Sequence, residues 1–450
     1  MDKGYNIYKK IINNNLSVLF ILLIISFGLR IFDNFEHGFW YDELLSFYIS
    51  DPSISSQDLL LRARKYDDNL TGYFWILKFF FKYFGYTPDN ARLLSVIFST
   101  LSTFIIYKVF LNNLSRKNFI IYLFLFTTNI FLIWQAKEAR VASLVLFFFV
   151  INLYCINQLI STNNKKYIYY LFLSNQLLIQ LHPFLTLILF SQLIYFFLNS
   201  YNFKKKIIIL IIINLFLFLA INYDYIIYKT LHKSFHYGGD LEYSFFINYF
   251  FRTFFGSISF GALNLLIFSA SFIYYLIKLF ENRNFHGLIF YSFIIIIVTY
   301  LFVIFFSLFS FGINIPRYFI YLIPLILLFQ INLLEYFKIK KIFIVLFLVT
   351  NLINLTFKFS DNKIEKFSIQ SLREDIQKYK TTNIIIPEDI LFNNYFKNIN
   401  FIKENYTIYN DSSPIENDTY LIVCINNNNL PVIIKCNNDK ENYFKISKVN

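Results

Sequence analysis

Trp40-Tyr41-Asp42-Glu43 places two adjacent carboxylates behind an aromatic pair, just past the first long apolar run of a chain in which only 15% of residues are charged. A carboxylate there can act as a general base toward a hydroxyl or amine. A second acid, Glu138, stands between Lys137 and Arg140 in a short connection further along. Asp42, Glu43 and Glu138 are the candidate catalytic acids. Asp42 and Glu138 are also the candidate pair for a divalent metal cation, which takes oxygen ligands. Arg92, Arg140 and Arg317 are candidate oxyanion ligands, because guanidinium binds phosphate bidentately and stays charged. Lys137, His182 and Tyr318, with Trp40 and Tyr41 beside the acids, complete the candidate substrate contacts. An isolated Asp-Glu pair is ordinarily a solvated loop charge, and a lone arginine at a span end ordinarily snorkels to the interface. Here these groups gather at one set of span ends, where ionisable side chains are costly and mark function by default. There is no His/Cys cluster with zinc-site spacing and no Gly-rich phosphate loop.

The elements that must position these residues are membrane helices. Of 450 residues, 57% are hydrophobic and 60 are Phe, and the mean hydropathy is +0.50. A soluble protein of this length exposes far more charge. The net charge of +13 does not indicate nucleic acid, because Lys and Arg are scattered in short loops between apolar runs, as topology control requires. A bilayer core needs about 20 apolar residues as helix. Eleven spans are expected, at 16–32, 91–111, 118–134, 140–158, 168–182, 184–199, 207–223, 256–278, 287–311, 316–334 and 342–358. The first has no small-residue cleavage site after it and reads as a retained span. Thr71 to Tyr86 is apolar but short, with Lys78 and Lys82 on one helical face, and reads as an amphipathic helix lying in the interface. That assignment puts Lys9/Lys10, Arg116/Lys117, Lys165/Lys166, Lys204 to Lys206, Lys278/Arg283 and Lys338/Lys340/Lys341 on one side, which is then cytoplasmic. The N-terminus is expected inside, and the candidate residues outside. Loop 224–255, with an aromatic interfacial segment from Leu241 to Phe255, is expected outside as well.

The tail differs in kind. It is polar and Asn-rich, with strand-like runs at Asn383–Ile386, Tyr420–Ile425 and Val432–Lys435 and a helix-like stretch from Ser368 to Tyr379. The expected organisation is an all-α polytopic membrane domain over 1–358 and a small extracytoplasmic α/β domain over 359–450. Cys155 lies in a span as a packing residue. Cys424 and Cys436 either are free thiols or, in an oxidising compartment, pair across a hairpin.

Span one followed by Trp40-Tyr41-Asp42-Glu43 resembles the opening of the GT-C superfamily of membrane glycosyltransferases, which includes bacterial aminoarabinose transferases and protein O-mannosyltransferases. Phe84-Gly85-Tyr86 through Arg92 resembles the family's "FG…R" entry to the second span. Gln135-Ala136-Lys137-Glu138-Ala139-Arg140-Val141-Ala142-Ser143-Leu144 resembles its second outer loop, usually EARxYSL. Pro316-Arg317-Tyr318 with Pro324 resembles a late "PRY…P" element. The likeness covers roughly residues 15 to 335. It implies that Asp42 is the catalytic or metal-binding acid with Glu43 beside it. Glu138 is then the second-loop acid, and Arg140 and Arg92 contact the donor or buttress the acids. Two departures stand out: Asn69-Leu70-Thr71 replaces paired prolines, and Ala142 replaces a tyrosine.

The expected activity is a glycosyltransferase of the cytoplasmic membrane. It moves a sugar from a polyprenyl-phosphate donor to a lipid, glycan or protein acceptor on the outer face. The donor's tail sits in the bilayer while its phosphate and sugar stay at the interface. Two other readings remain. A lipid-linked glycan polymerase or ligase would call for a large outer loop with several arginines, and loop 224–255 has only Arg252. A transporter or flippase would place polar residues at mid-span on broken or repeated helices.

Overall fold

The computed structural model describes residues 2–35, 38–67, 69–111, 113–199, 201, 203–231, 250–282, 285–309, 316–336, 348–349, 351–353, 355, 383–386, 390–399, 407–410, 420–425 and 431–436. Arg283, Lys338, Lys340, Lys341, the helix expected over 368–379 and most of the expected span 342–358 lie outside the described residues. So does most of loop 224–255.

Helix α1 (Asp2–Ile31) leads into three short helices: α2 (Tyr41–Ile49), α3 (Ser56–Tyr66) and α4 (Gly72–Phe84). The bundle continues with α5 (Pro88–Phe110), α6 (Arg116–Thr127), α7 (Ile130–Ala136), α8 (Ala142–Thr162), α9 (Lys166–Ile179) and α10 (Thr186–Leu198). It closes with α11 (Lys204–Leu231), α12 (Phe250–Phe255), α13 (Ile258–Asn282), α14 (Gly287–Phe309) and α15 (Leu322–Tyr336). Single 3-10 turns, Pro183–Leu185 and Pro316–Phe319, precede α10 and α15. Ten of the eleven expected spans fall on these helices. By length and composition, five helices among the described residues are able to cross a membrane, or six if α6 and α7 are one bent span; Leu16–Ile31, Pro183–Leu198 and Leu322–Leu333 are shorter apolar helices.

The third expected span departs from a single helix. It bends by 45° between α6 and α7. The sequence there is Thr127-Thr128-Asn129, and Asn129 starts α7 by accepting the Leu132 N–H at 3.0 Å, as a capping residue does. The break strands carbonyls at the end of α6. Arg30 of α1 reaches one of them, donating from Nη1 to the Thr127 carbonyl at 3.2 Å and from Nε to Ser99 of α5 at 2.7 Å. A fully buried arginine therefore ties α1 to α5 and to the bend.

At the middle of α8, α9 and α10, three amides close on one another. Asn152 donates to Asn175 at 2.5 Å, Asn175 to Gln192 at 2.8 Å, and Gln192 back to Asn152 at 3.0 Å. Such interhelical hydrogen bonds hold helices together where apolar burial offers little drive.

Helix α4 packs Tyr73, Phe74, Leu77 and Phe81 inward. Trp75, Phe79 and Tyr83, four residues apart, make an exposed aromatic stripe on another face. Its start is held at the turn before α10, where the Gly72 N–H donates to the Gln180 carbonyl at 3.2 Å. Gly85, at φ 96°, ends it in a conformation that side chains disfavour.

In the tail, α16 (Ile390–Lys397) accompanies strands β1 (Asn383–Ile386), β2 (Thr407–Asn410), β3 (Tyr420–Ile425) and β4 (Pro431–Cys436). The sheet order is β2-β1-β3-β4. β1 runs parallel to β2 and β3, and β4 is antiparallel to β3. The hairpin register places Cys424 opposite Val432 and Cys436 opposite Tyr420. The two cysteines are therefore about 13 Å apart along the ladder at about 3.3 Å per residue, beyond the reach of about 7 Å that a disulfide allows. The disulfide alternative for this hairpin is thereby removed.

A methyl group at position 72 would lie 2.5 Å from the Gln180 oxygen. Gly72→Ala should therefore lower stability by about 1–3 kcal/mol, the usual cost of overpacking. Thermal unfolding in detergent, followed by size-exclusion fluorescence, checks this; an unchanged midpoint would show that the contact is loose.

Candidate functional site

The site is built around the first turn of α2. Glu43, its third residue, is fully buried and grips Arg92 in a fork: Nε and Nη2 each donate to one carboxylate oxygen at 2.8 Å. The same carboxylate accepts the N–H of Ala139 at 2.9 Å and that of Trp40 at 3.4 Å. Arg92 also donates to the carbonyls of Asn34 and Gly38, at 2.8 and 2.9 Å. Its guanidinium also lies 4.9 Å from the Phe39 ring centroid.

Asp42, one residue earlier, faces the other way and keeps a side-chain exposure of 21%. Its Oδ2 accepts from Arg317 Nη2 at 2.7 Å and lies 3.6 Å from Arg140 Nη2. Arg140 is held beneath it. Nη1 donates to Asp67 at 2.7 Å, to the Asp42 carbonyl at 3.0 Å and to Ser46 Oγ at 3.0 Å. Burial alone would lower the Arg140 pKa, but Asp67 and then Asp42 outweigh it and hold the guanidinium charged. Asp67 is buried as well. Arg140 and two hydrogen bonds from Asn69 overcome its desolvation, so its carboxyl sits below the usual range.

Arg317 is brought in by the turn before α15. Its guanidinium lies 5.2 Å from the Trp40 ring centroid. Tyr318 stacks on His182 at 4.0 Å. His182 Nδ1 accepts the Phe184 N–H at 3.2 Å, which leaves the proton on Nε2. Three buried donors around Asp42, namely Arg317 Nε, Arg140 Nε and Trp40 Nε1, have no hydrogen-bond acceptor among the described residues.

No protein-family model and no curated protein sequence matches the chain. Among solved structures it is similar to ArnT from Cupriavidus metallidurans in the apo state. The TM-score is 0.51 at 13% identity, covering 73% of this chain and 60% of that one. The chain shares the fold of that protein. It also aligns with the Archaeoglobus fulgidus oligosaccharyltransferase in complex with Zn and sulfate, at TM-score 0.44 and 11% identity, over 85% of this chain and 61% of that one. The chain thus spans about three fifths of the length of these proteins, and the likeness is one of fold.

Within this fold the predicted residues divide. Asp42, Arg140, Arg317 and Trp40 meet around one partly exposed carboxylate, with Tyr318 and His182 behind Arg317. Glu43 and Arg92 sit in a neighbouring, fully enclosed clamp. Glu138 is buried in the turn that also supplies the Ala139 N–H, and its carbonyl accepts the Arg140 N–H at 2.8 Å. Lys137 reaches away, donating to the Phe32 carbonyl at 2.6 Å, and Tyr41 points outward at 49% exposure. Asp67 escaped the sequence reading. Its signal was an acid closing a helix, α3, at the end where the dipole disfavours negative charge, which calls for a cation such as Arg140. Asp42 Oδ2 is held by Arg317 with Arg140 at 3.6 Å, so a divalent cation shared with Glu138 would have to use the carboxylate's other oxygen. Among the described residues, no three His, Cys, Asp or Glu side chains gather at metal-binding distance.

Breaking the clamp should cost stability. Glu43→Gln leaves Arg92 buried beside a neutral partner, and removal of one member of such a pair typically costs about 3–5 kcal/mol. Adding Arg92→Met should recover part of the loss in a thermal unfolding series; no recovery would show that the two are not coupled. His182 gives a pH signature. Burial first, then Arg317 and Arg140, outweigh the attraction of Asp67 and lower its pKa from 6.5 to about 3. Its contribution is present above pH 6.5 and is lost as pH falls from 6.5 toward 3. The unfolding midpoint of His182→Phe should fall less steeply across that window than that of the parent.

Proposed function

We propose that the chain is a glycosyltransferase of the outer face of the cytoplasmic membrane, using a polyprenyl-phosphate-linked sugar as donor and a lipid, glycan or protein as acceptor. The observation that carries this reading is Asp42: a partly exposed carboxylate at a helix start, bracketed by Arg317 and Arg140. In this reading the helices form an eleven-span membrane domain with the N-terminus inside. The tail is a small α/β domain outside.

The roles follow from the environments. A donor phosphate competes with Asp42 for Arg317, whose Nε has no acceptor among the described residues and whose side chain is 19% exposed. Trp40 Nε1 offers a second donor beside it. As Arg317 turns to the phosphate, the Asp42 carboxylate is released toward the acceptor. It then takes the acceptor's proton as the nucleophilic oxygen or nitrogen attacks the anomeric carbon. The bond between that carbon and the phosphate oxygen breaks, and polyprenyl phosphate leaves with the electron pair, its charge met by Arg317. Arg140 stays below, fixing Asp42 through the backbone carbonyl and holding local charge. Glu43 and Arg92 shape the turn and do not touch the donor. The transport reading is less well supported, since the mid-span amides Asn152, Asn175 and Gln192 satisfy one another.

Asp42→Asn should lose about 10²–10⁴ in turnover with labelled polyprenyl-phosphate hexose and pentose donors, the range for a lost general base. Binding of undecaprenyl phosphate should be equal or tighter, because the arginines gain net positive charge. Unchanged turnover would remove Asp42 from the reaction, and lost binding would reassign it to the donor pocket. Mass spectrometry of surface glycans from a deletion strain identifies the acceptor.

A further inference from the structure

The tail helix α16 reaches the acid-bearing helix directly. Tyr395 is fully buried. Its ring stacks on Phe39 with centroids 4.9 Å apart at 30°. Its hydroxyl accepts the Phe39 backbone N–H at 3.3 Å. Phe39 is therefore gripped by two groups, since the Arg92 guanidinium also lies at its ring. One residue before Tyr395, Asn394 donates to the Tyr86 hydroxyl at 2.6 Å. Tyr86 in turn donates to the Phe47 carbonyl at 3.0 Å and stacks on the Phe47 ring at 4.1 Å. Phe47 lies in the last turn of α2, where carbonyls lack helical partners. Adjacent residues of α16 thus hold α2 at its entry and at its exit. Asp42 lies between the two grips.

We propose that Tyr395 is a positioning residue for Asp42, so that the tail sets the geometry of the acid in the membrane domain. This rests on the reading of Asp42 and Arg317 given above. The path is short. Phe39 is followed by Trp40, which precedes α2 and whose ring lies beside Arg317. The Phe39 N–H is buried and requires an acceptor. Without the Tyr395 hydroxyl it has to move toward another acceptor, and the Trp40 ring, Arg317 and the first turn of α2 move with it. The phosphate-facing arginine and the acid are then displaced together.

Trp40 provides the readout. The chain has three tryptophans, and the other two, Trp75 and Trp134, are exposed at 38% and 37%. The parent for the test is full-length protein carrying Trp75→Phe and Trp134→Phe. Tyr395→Phe in that parent keeps the ring stack and removes only the hydroxyl. We expect a shifted Trp40 emission maximum, an unfolding midpoint close to the parent's, and undecaprenyl phosphate binding weakened about threefold to tenfold, the scale of one hydrogen bond. Tyr395→Leu, which also removes the stack, should extend the same trend; if it does not fold, Tyr395→Phe decides alone. An unmoved Trp40 emission in Tyr395→Phe overturns the proposal, as does a lowered unfolding midpoint with unmoved emission, which would make Tyr395 merely structural. If the parent itself does not bind undecaprenyl phosphate, the donor reading fails, and Trp40 emission still decides the positioning role.

Discussion

The buried pair between Glu43 and Arg92 is the interaction from which the site hangs. Two charges removed from water cost several kcal/mol each unless geometry and extra hydrogen bonds offset the loss. Here every strong contact is present: a two-bond fork, two backbone N–H groups on the acid, and two backbone carbonyls on the base. Those backbone groups belong to residues 34, 38, 40 and 139. One ion pair thereby binds the segment after α1, the start of α2, the start of α5 and the turn before α8. Arg140, through the Asp42 carbonyl and Ser46, and Lys137, through the Phe32 carbonyl, add to the same junction.

That clamp also explains how adjacent acids acquire different surroundings. Successive residues at the start of a helix point about 100° apart, so Glu43 turns into the protein while Asp42 turns to the opening. The helix N-terminus favours both negative charges. What separates them is their partners. Glu43 meets one arginine in a closed, saturated arrangement. Asp42 meets two arginines that retain buried donors without acceptors among the described residues. Arg140 is neutralised from below by Asp67, so it supports Asp42 without claiming it outright. The result is a carboxylate with one exchangeable partner, Arg317, on its accessible side.

The bundle beneath is held by polar contacts as well as by packing. Arg30 answers a carbonyl released at the bend between α6 and α7, and the ring of Asn152, Asn175 and Gln192 joins three helices at mid-span. The amide ring closes on itself, consistent with scaffolding. The bend itself places the end of α7, and so the turn with Glu138 and Arg140, next to α2. The close approach at Gly72 does the same for the turn that carries His182.

Sequence alone pointed to a multi-pass membrane protein and to much of the candidate site. Apolar runs of span length can only be helices in a bilayer, because unsatisfied backbone groups are too costly there. Scarce charges at helix ends are expensive enough to be informative, so Asp42, Arg140 and Arg317 were legible before any coordinates. The strands at 383–386 and 420–425 were legible from their β-branched runs. Tertiary structure decided which charges pair. Glu43 and Asp42 look equivalent in sequence, and only the arrival of Arg92 on one side and Arg317 on the other distinguishes them. Asp67, Arg30 and Tyr395 lie 73, 69 and 356 residues from their partners Arg140, Ser99 and Phe39, separations that no local pattern encodes. The bend at Thr128-Asn129 was hidden for a related reason: a polar pair inside an apolar run is compatible with a straight span until another helix supplies Arg30 to satisfy the carbonyl that bending exposes.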